Sequence, residues 1–164
     1  MRRCFFIFDY DEDLARAHHI NSLDLAVATA PAGFDDDADW KAAVAKGDEA
    51  VKELIDNAIL GTSATVVLSG EHTAERDYVD YAFEQSIKRQ NGILGIFVHD
   101  IPDASGATAA KGKVPYQAQA AERLEAHGYD THDWDQGKFA RWIEEAATGW
   151  KAFARPVPLN RPGA

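Results

Sequence analysis

"GTSATVVLSGEHTAERDYVDYAFEQSIKRQNGILGIFVHD", Gly61 to Asp100, decides how this chain folds. Within it, Ala64–Gly70 is an apolar, β-branched run without alternation, which predicts a strand buried on both faces. A helix is expected from about Glu75 to Arg89, stopped by Asn91-Gly92. On it Val79, Ala82, Phe83 and Ser86 form one stripe at helical spacing, the pattern of a face packed on a sheet. Ile93–Asp100 is a second buried strand. Two such strands joined through a helix run parallel, in a sheet covered on both sides.

The flanking sequence extends this unit. Arg3–Phe8, "RCFFIF", predicts another buried strand, and "DYDEDLARAHHIN" a helix with its acids in the favoured first turn. Leu23–Ala30 is a weaker strand candidate, and "PAGFDDDAD" a loop. Trp40–Lys46 and Asp48–Leu60 predict two helices split at Gly47, the second with Val51, Leu54, Ile55 and Ala58 on one face. After Asp100 come a long loop to Pro115, a short helix at Ala118–Ala126, an edge strand in "YDTHDW" and a helix at Lys138–Ala147 carrying Phe139, Trp142 and Ile143. The expectation is one α/β domain over residues 1–150 with a Pro-rich tail from 151 to 164. Its sheet is expected to be parallel, five-stranded and flavodoxin-like, in the order 2-1-3-4-5, with helices on both faces.

Bulk properties exclude several classes. A formal net charge of −10 disfavours nonspecific binding to nucleic acids or anionic membranes. No apolar run approaches the ~20 residues that span a bilayer, and the apolar run behind Arg2-Arg3 is too short for a signal peptide. A cytoplasmic location is expected. Cys4 has no second cysteine to pair with and sits in a predicted central strand, so it reads as a buried thiol.

In such sheets ligands bind beyond the carboxyl ends of the strands. Three segments lie there: Asp9–Asp13, Ser69–Tyr78 and the chain from His99 onward. A phosphorelay receiver needs an aspartate at the end of the third strand, and Leu68-Ser69-Gly70 offers none. A flavodoxin wraps a phosphate after its first strand, where "DYDED" would repel it. There is no GxxxxGK[ST], no GxGxxG and no metal-ligand spacing among the histidines; adjacent His18 and His19 point about 100° apart.

"RCFFIFDY", the Asp39-Trp40 helix start, "AVKELIDNAILGTSATVVLSG", "YVDY", "GILGIFVHDI" and the Gly112-Lys113-Val114-Pro115 loop, in that order, resemble the TIR-like family of the bacterial Thoeris anti-phage proteins, over roughly residues 3–116. The resemblance implies a flavodoxin-like fold and cleavage of the nicotinamide–ribose bond of NAD+, a substrate and not a cofactor. It also implies an ADP-ribose-derived, cyclised or conjugated, diffusible signal that activates an effector, and self-association that completes the site. No metal is implied.

The family's main catalytic residue is a glutamate in a pattern close to Trp-Val-x-Tyr-Glu. Here the pattern reads Tyr78-Val79-Asp80-Tyr81-Ala82. By helical spacing alone Ala82 is an ordinary packing residue; the resemblance makes it the place of a missing carboxylate. The loss is either natural or an engineered Glu→Ala substitution, and the otherwise intact pattern favours the second. Glu84 lies about 200° further round the helix and does not replace it. The candidate substrate-binding residues are Phe5, Phe8, Asp9, Tyr10, Trp40, Ser69 and Tyr78. The aromatics are placed to stack on a base, Asp9 to bind ribose hydroxyls, Ser69 to donate to phosphate or ribose, and Trp40 to cap the pocket. Asp11 is the expected helix cap, and Arg16 and Arg76 are weighed as phosphate partners. Two other readings stand beside this one: a non-catalytic TIR-like assembly module, and a flavodoxin-like protein binding another nucleotide.

Overall fold

Ala64–Ser69 forms the middle strand of the sheet in the computed structural model, with all six residues buried. The structure describes residues 2–23, 27–29, 37–115 and 130–153. The helix expected at Ala118–Ala126, the Asp-rich loop up to residue 36 and the tail from residue 154 lie outside them. In chain order the elements are β1 (Arg2–Ile7), α1 (Tyr10–Ser22), β2 (Val27–Thr29), α2 (Asp37–Lys46), α3 (Asp48–Ile59), β3 (Ala64–Ser69), α4 (Asp77–Lys88), β4 (Gly92–Phe97), β5 (Asp130–Asp133) and α5 (Gln136–Phe153). Residues 151–153, expected in the tail, continue α5, because no proline interrupts the chain before Pro156.

The sheet runs β2-β1-β3-β4-β5 and every pairing is parallel. Side chains alternate across it. Phe6, Val66, Leu68 and Ile96 face α1 and α5 through Ala17, Ile20, Phe139 and Ile143. Phe5, Ile7, Val67 and Ile93 face α3 and α4 through Val51, Ile55, Val79 and Phe83. A sheet buried on both faces explains why its central strands show apolar runs in place of strict alternation. Gly47 divides α2 from α3 with φ 117°, a conformation that side chains resist.

The crossover between β3 and β4 departs from expectation at its start. Thr73–Glu75 makes a separate 3-10 turn, and Arg76 is extended at φ −93°, ψ 125° before α4 begins at Asp77. Thr73 Oγ1 accepts from the Gly70 amide at 2.8 Å, which tightens that turn. Farther along, Ser86 Oγ accepts from Thr65 Oγ1 at 2.8 Å and donates to the Ala82 carbonyl at 2.9 Å. This bond chain fixes α4, and position 82 with it, against β3. Among the described residues no helix is long and apolar enough to cross a membrane.

Candidate functional site

At the carboxyl end of β1, α2 and α4 leave a cavity of about 170 Å³. Ala82 lines it while remaining only 4% exposed. Position 82 therefore belongs both to the apolar layer under α4 and to the wall of an opening. Ile55 and Val79 continue that apolar wall. Glu84 is exposed on another side of the helix, as the 200° rotation requires.

The mouth is aromatic. Tyr10 stacks on Trp40 with ring centres 4.3 Å apart and planes 5° from parallel, and on Phe8 at 4.7 Å. Tyr78 meets Trp40 edge to face at 5.7 Å. Three segments distant in sequence, the end of β1, the first turns of α2 and the first turn of α4, thus present one wall. Offset stacks and edge contacts of this kind are favourable ring geometries, and Tyr10, covered on one face by Phe8 and on the other by Trp40, ties the wall together. Burial raises the pKa of the Tyr78 hydroxyl, and Asp48 adds to the shift.

The polar part of the wall comes from Asp9, Asp11 and Arg76. Asp9, not Asp11, caps α1: its Oδ1 accepts from the Asp11 amide at 3.0 Å, satisfying a first-turn donor. Arg76 Nε donates to Asp9 Oδ2 at 2.8 Å. Asp9 is 2% exposed, so an ionised carboxylate there needs both partners. The Asp9 carboxylate raises the Arg76 pKa, keeping the guanidinium charged.

The structure brings together Phe5, Phe8, Asp9, Tyr10, Trp40, Tyr78 and Ala82 around this cavity. Phe5 is 1% exposed and serves mainly as core. Ser69 is not part of the lining: it is fully buried at the end of β3, and its hydroxyl has no hydrogen-bond partner among the described residues. Arg16 is not a surface cation. It is buried, donating to the Ile101 carbonyl at 2.6 Å and to Asp13 at 2.7 Å. Burial pushes the Cys4 thiol up to about 12, which keeps it protonated and inert. The tie between Arg76 and Asp9 was not foreseen; an arginine directly before a helix and an aspartate directly after a strand carry no local sign of meeting.

Residues 5–103 match the model of the family described as Thoeris protein ThsB, TIR-like domain. The chain is also 30% identical over 153 residues, 88% of its own length and 77% of the relative's, to the Bacillus cereus (strain MSX-D12) protein named "Putative cyclic ADP-D-ribose synthase ThsB1". By both the extent of the family match and the length of the shared sequence, this chain belongs to the ThsB TIR-like family of Thoeris proteins.

Proposed function

We propose that the cavity beside Ala82 receives the nicotinamide–ribose end of NAD+, on a scaffold that releases nicotinamide and turns the remaining ADP-ribosyl group into a cyclic signal. The relative's name, a cyclic ADP-D-ribose synthase, supports that product class. The observation that carries the reading is the position of Ala82 in the wall of an aromatic-mouthed cavity at the carboxyl edge of the sheet. Nicotinamide in NAD+ is a cationic leaving group and departs with the bonding pair as a neutral molecule. The cost lies in the positive charge that develops on the ribose. A carboxylate at position 82 would stabilise that charge, as carboxylates do in glycoside cleavage.

With alanine at 82, through natural loss or substitution, the chain keeps the walls that hold the ring and lacks the charge that speeds departure. It binds NAD+ and turns it over poorly. Trp40 and Tyr78 supply ring faces, Tyr10 braces Trp40 from behind, and Asp9, held by Arg76, offers its remaining lone pairs to ribose hydroxyls. The signal diffuses to a separate effector in an anti-phage response, and self-association completes the site. A crystal structure of this chain with NAD+ tests the reading. The nicotinamide ring is expected in contact with Ala82 and Trp40; a ring bound elsewhere, or no binding at millimolar NAD+, overturns it.

A further inference from the structure

The seam between α3 and α4 has two sides. On the buried side, Ile55 of α3 and Ala82 of α4 line the cavity together. On the partly exposed side their immediate neighbours meet. The Tyr81 hydroxyl donates to the Asp56 carboxylate, whose oxygens lie 2.8 and 3.0 Å away. Over the same ring sits the Lys52 ammonium, 5.4 Å from its centre, a favourable cation–π placement. Asp48 Oδ2, one turn earlier on α3, holds that ammonium at 3.0 Å. Tyr81 is thus gripped at its tip and on its face by a single helix, at the position directly before residue 82. Burial first, and then Asp56, pushes the Tyr81 hydroxyl up to about 12, so it stays protonated and donating at neutral pH.

The grip matters because of what else restrains α4. No side-chain hydrogen bond caps this helix at Arg76. The Ser86 hydroxyl, bonded to Thr65, ties it to β3 one turn beyond Ala82. That bond lies on the underside of the helix and acts as a pivot. Tyr81 stands about 100° round the axis from Ala82, on the flank, where a bond opposes rotation. On a cylinder of about 2.3 Å radius, a roll of about 20° carries a Cα by about 0.8 Å and a side-chain tip farther. At a reacting centre a displacement of about 1 Å can cost on the order of 10² in rate.

We infer that Tyr81 is a positioning residue: its bond to Asp56 sets the roll of α4, and with it the direction from which the side chain at position 82 meets the cavity. The consequence for rate rests on the NAD+ reading above. The geometric claim does not, and the two are measured separately.

The geometric measurement is an alanine-methyl NMR spectrum, with Ala147 as internal reference because it packs under α5 on the opposite face of the sheet. Tyr81→Phe removes one oxygen and keeps the ring; Asp56→Ala removes the acceptor from the other helix. Each is expected to shift or exchange-broaden the Ala82 methyl signal and to leave Ala147 in place. The double variant should add nothing further. Asp56→Asn, whose amide oxygen still accepts from the hydroxyl, should stay near the parent. The kinetic measurement is nicotinamide release from NAD+ in the Ala82→Glu background. There Tyr81→Phe is expected to lower kcat roughly tenfold or more and to change KM by less than about twofold. An Ala82 methyl unmoved by both single variants overturns the assignment, and so does an unchanged kcat in an active Ala82→Glu protein. Equal movement of both methyls would make Tyr81 a general stabiliser and overturns it as well. If Ala82→Glu releases no nicotinamide, the NAD+ reading fails, and the methyl spectra still decide whether Tyr81 sets the roll of α4.

Discussion

Arg76 Nε and Asp9 Oδ2 meet at 2.8 Å in the wall of the cavity, joining the residue that precedes α4 to the residue that caps α1. Asp9 is 2% exposed and Arg76 is 40% exposed at its side chain, so the carboxylate depends on this partner more than the guanidinium does. Removing the guanidinium leaves a buried charge with only its helix-capping bond. Arg76→Ala is expected to destabilise the fold by about 1–3 kcal/mol, a fall of roughly 2–4 °C in Tm per kcal/mol at this chain length. Arg76→Lys should recover part of the loss. Thermal unfolding followed by circular dichroism checks both, and an unchanged Tm in Arg76→Ala contradicts the dependence.

Next to that pair, His72 Nδ1 lies 2.8 Å from Glu12 Oε2. The hydrogen bond to Glu12, followed by its charge, raises the His72 pKa, while partial desolvation opposes the shift. A folded-state value above the unfolded one means that the pairing stabilises fully below the unfolded histidine pKa, and that this stabilisation is lost as pH rises through the folded value. The Tm difference between the parent and His72→Gln should therefore be larger at about pH 5.5 than at about pH 8.5, either side of the imidazole range. A difference independent of pH would show that the pair does not couple to folding.

Ser86 links the Thr65 hydroxyl to the Ala82 carbonyl in a fully buried place. Ser86→Ala leaves Thr65 without that acceptor and is expected to cost about 1–3 kcal/mol. Chemical denaturation measures it. A cost below about 0.5 kcal/mol, the ordinary scatter of surface changes, would mean that the bond chain does not anchor α4.

Trp40 supplies the outer ring of the mouth. Stacking of this kind contributes about 0.5–1.5 kcal/mol beyond area burial, so Trp40→Ala should weaken nicotinamide mononucleotide by roughly two- to tenfold. Calorimetric titration reads the change, and an unaltered affinity would place the ring away from this mouth.

The arrangement of strands was legible because Ala64–Ser69 and Gly92–Phe97 carry no charged residue and apolar side chains on both faces, and Gly47 marked the break between α2 and α3. The aromatic wall was legible in part: Phe8, Tyr10, Trp40 and Tyr78 stand near strand ends or helix starts, where ligands gather in such sheets. What local sequence did not reveal came from partners far along the chain. Arg16 looks like a surface residue among "DLARAHH" and is buried because carbonyls at Ile101 and Ala107 receive it. The start of α4 is delayed to Asp77, with Arg76 left extended and its guanidinium on Asp9, a contact 67 residues away. Ser69 follows an inward register under the helices, and strand position alone does not distinguish that from an outward one.

Nicotinamide release from NAD+ by Ala82→Glu, with Ala82→Gln as the uncharged control of the same shape, tests the central claim most directly. If residue 82 faces the breaking bond, the carboxylate raises the rate on the order of 10²–10³ over the parent, while the amide stays near the parent. A folded Ala82→Glu protein that releases nicotinamide no faster than Ala82→Gln would contradict the account.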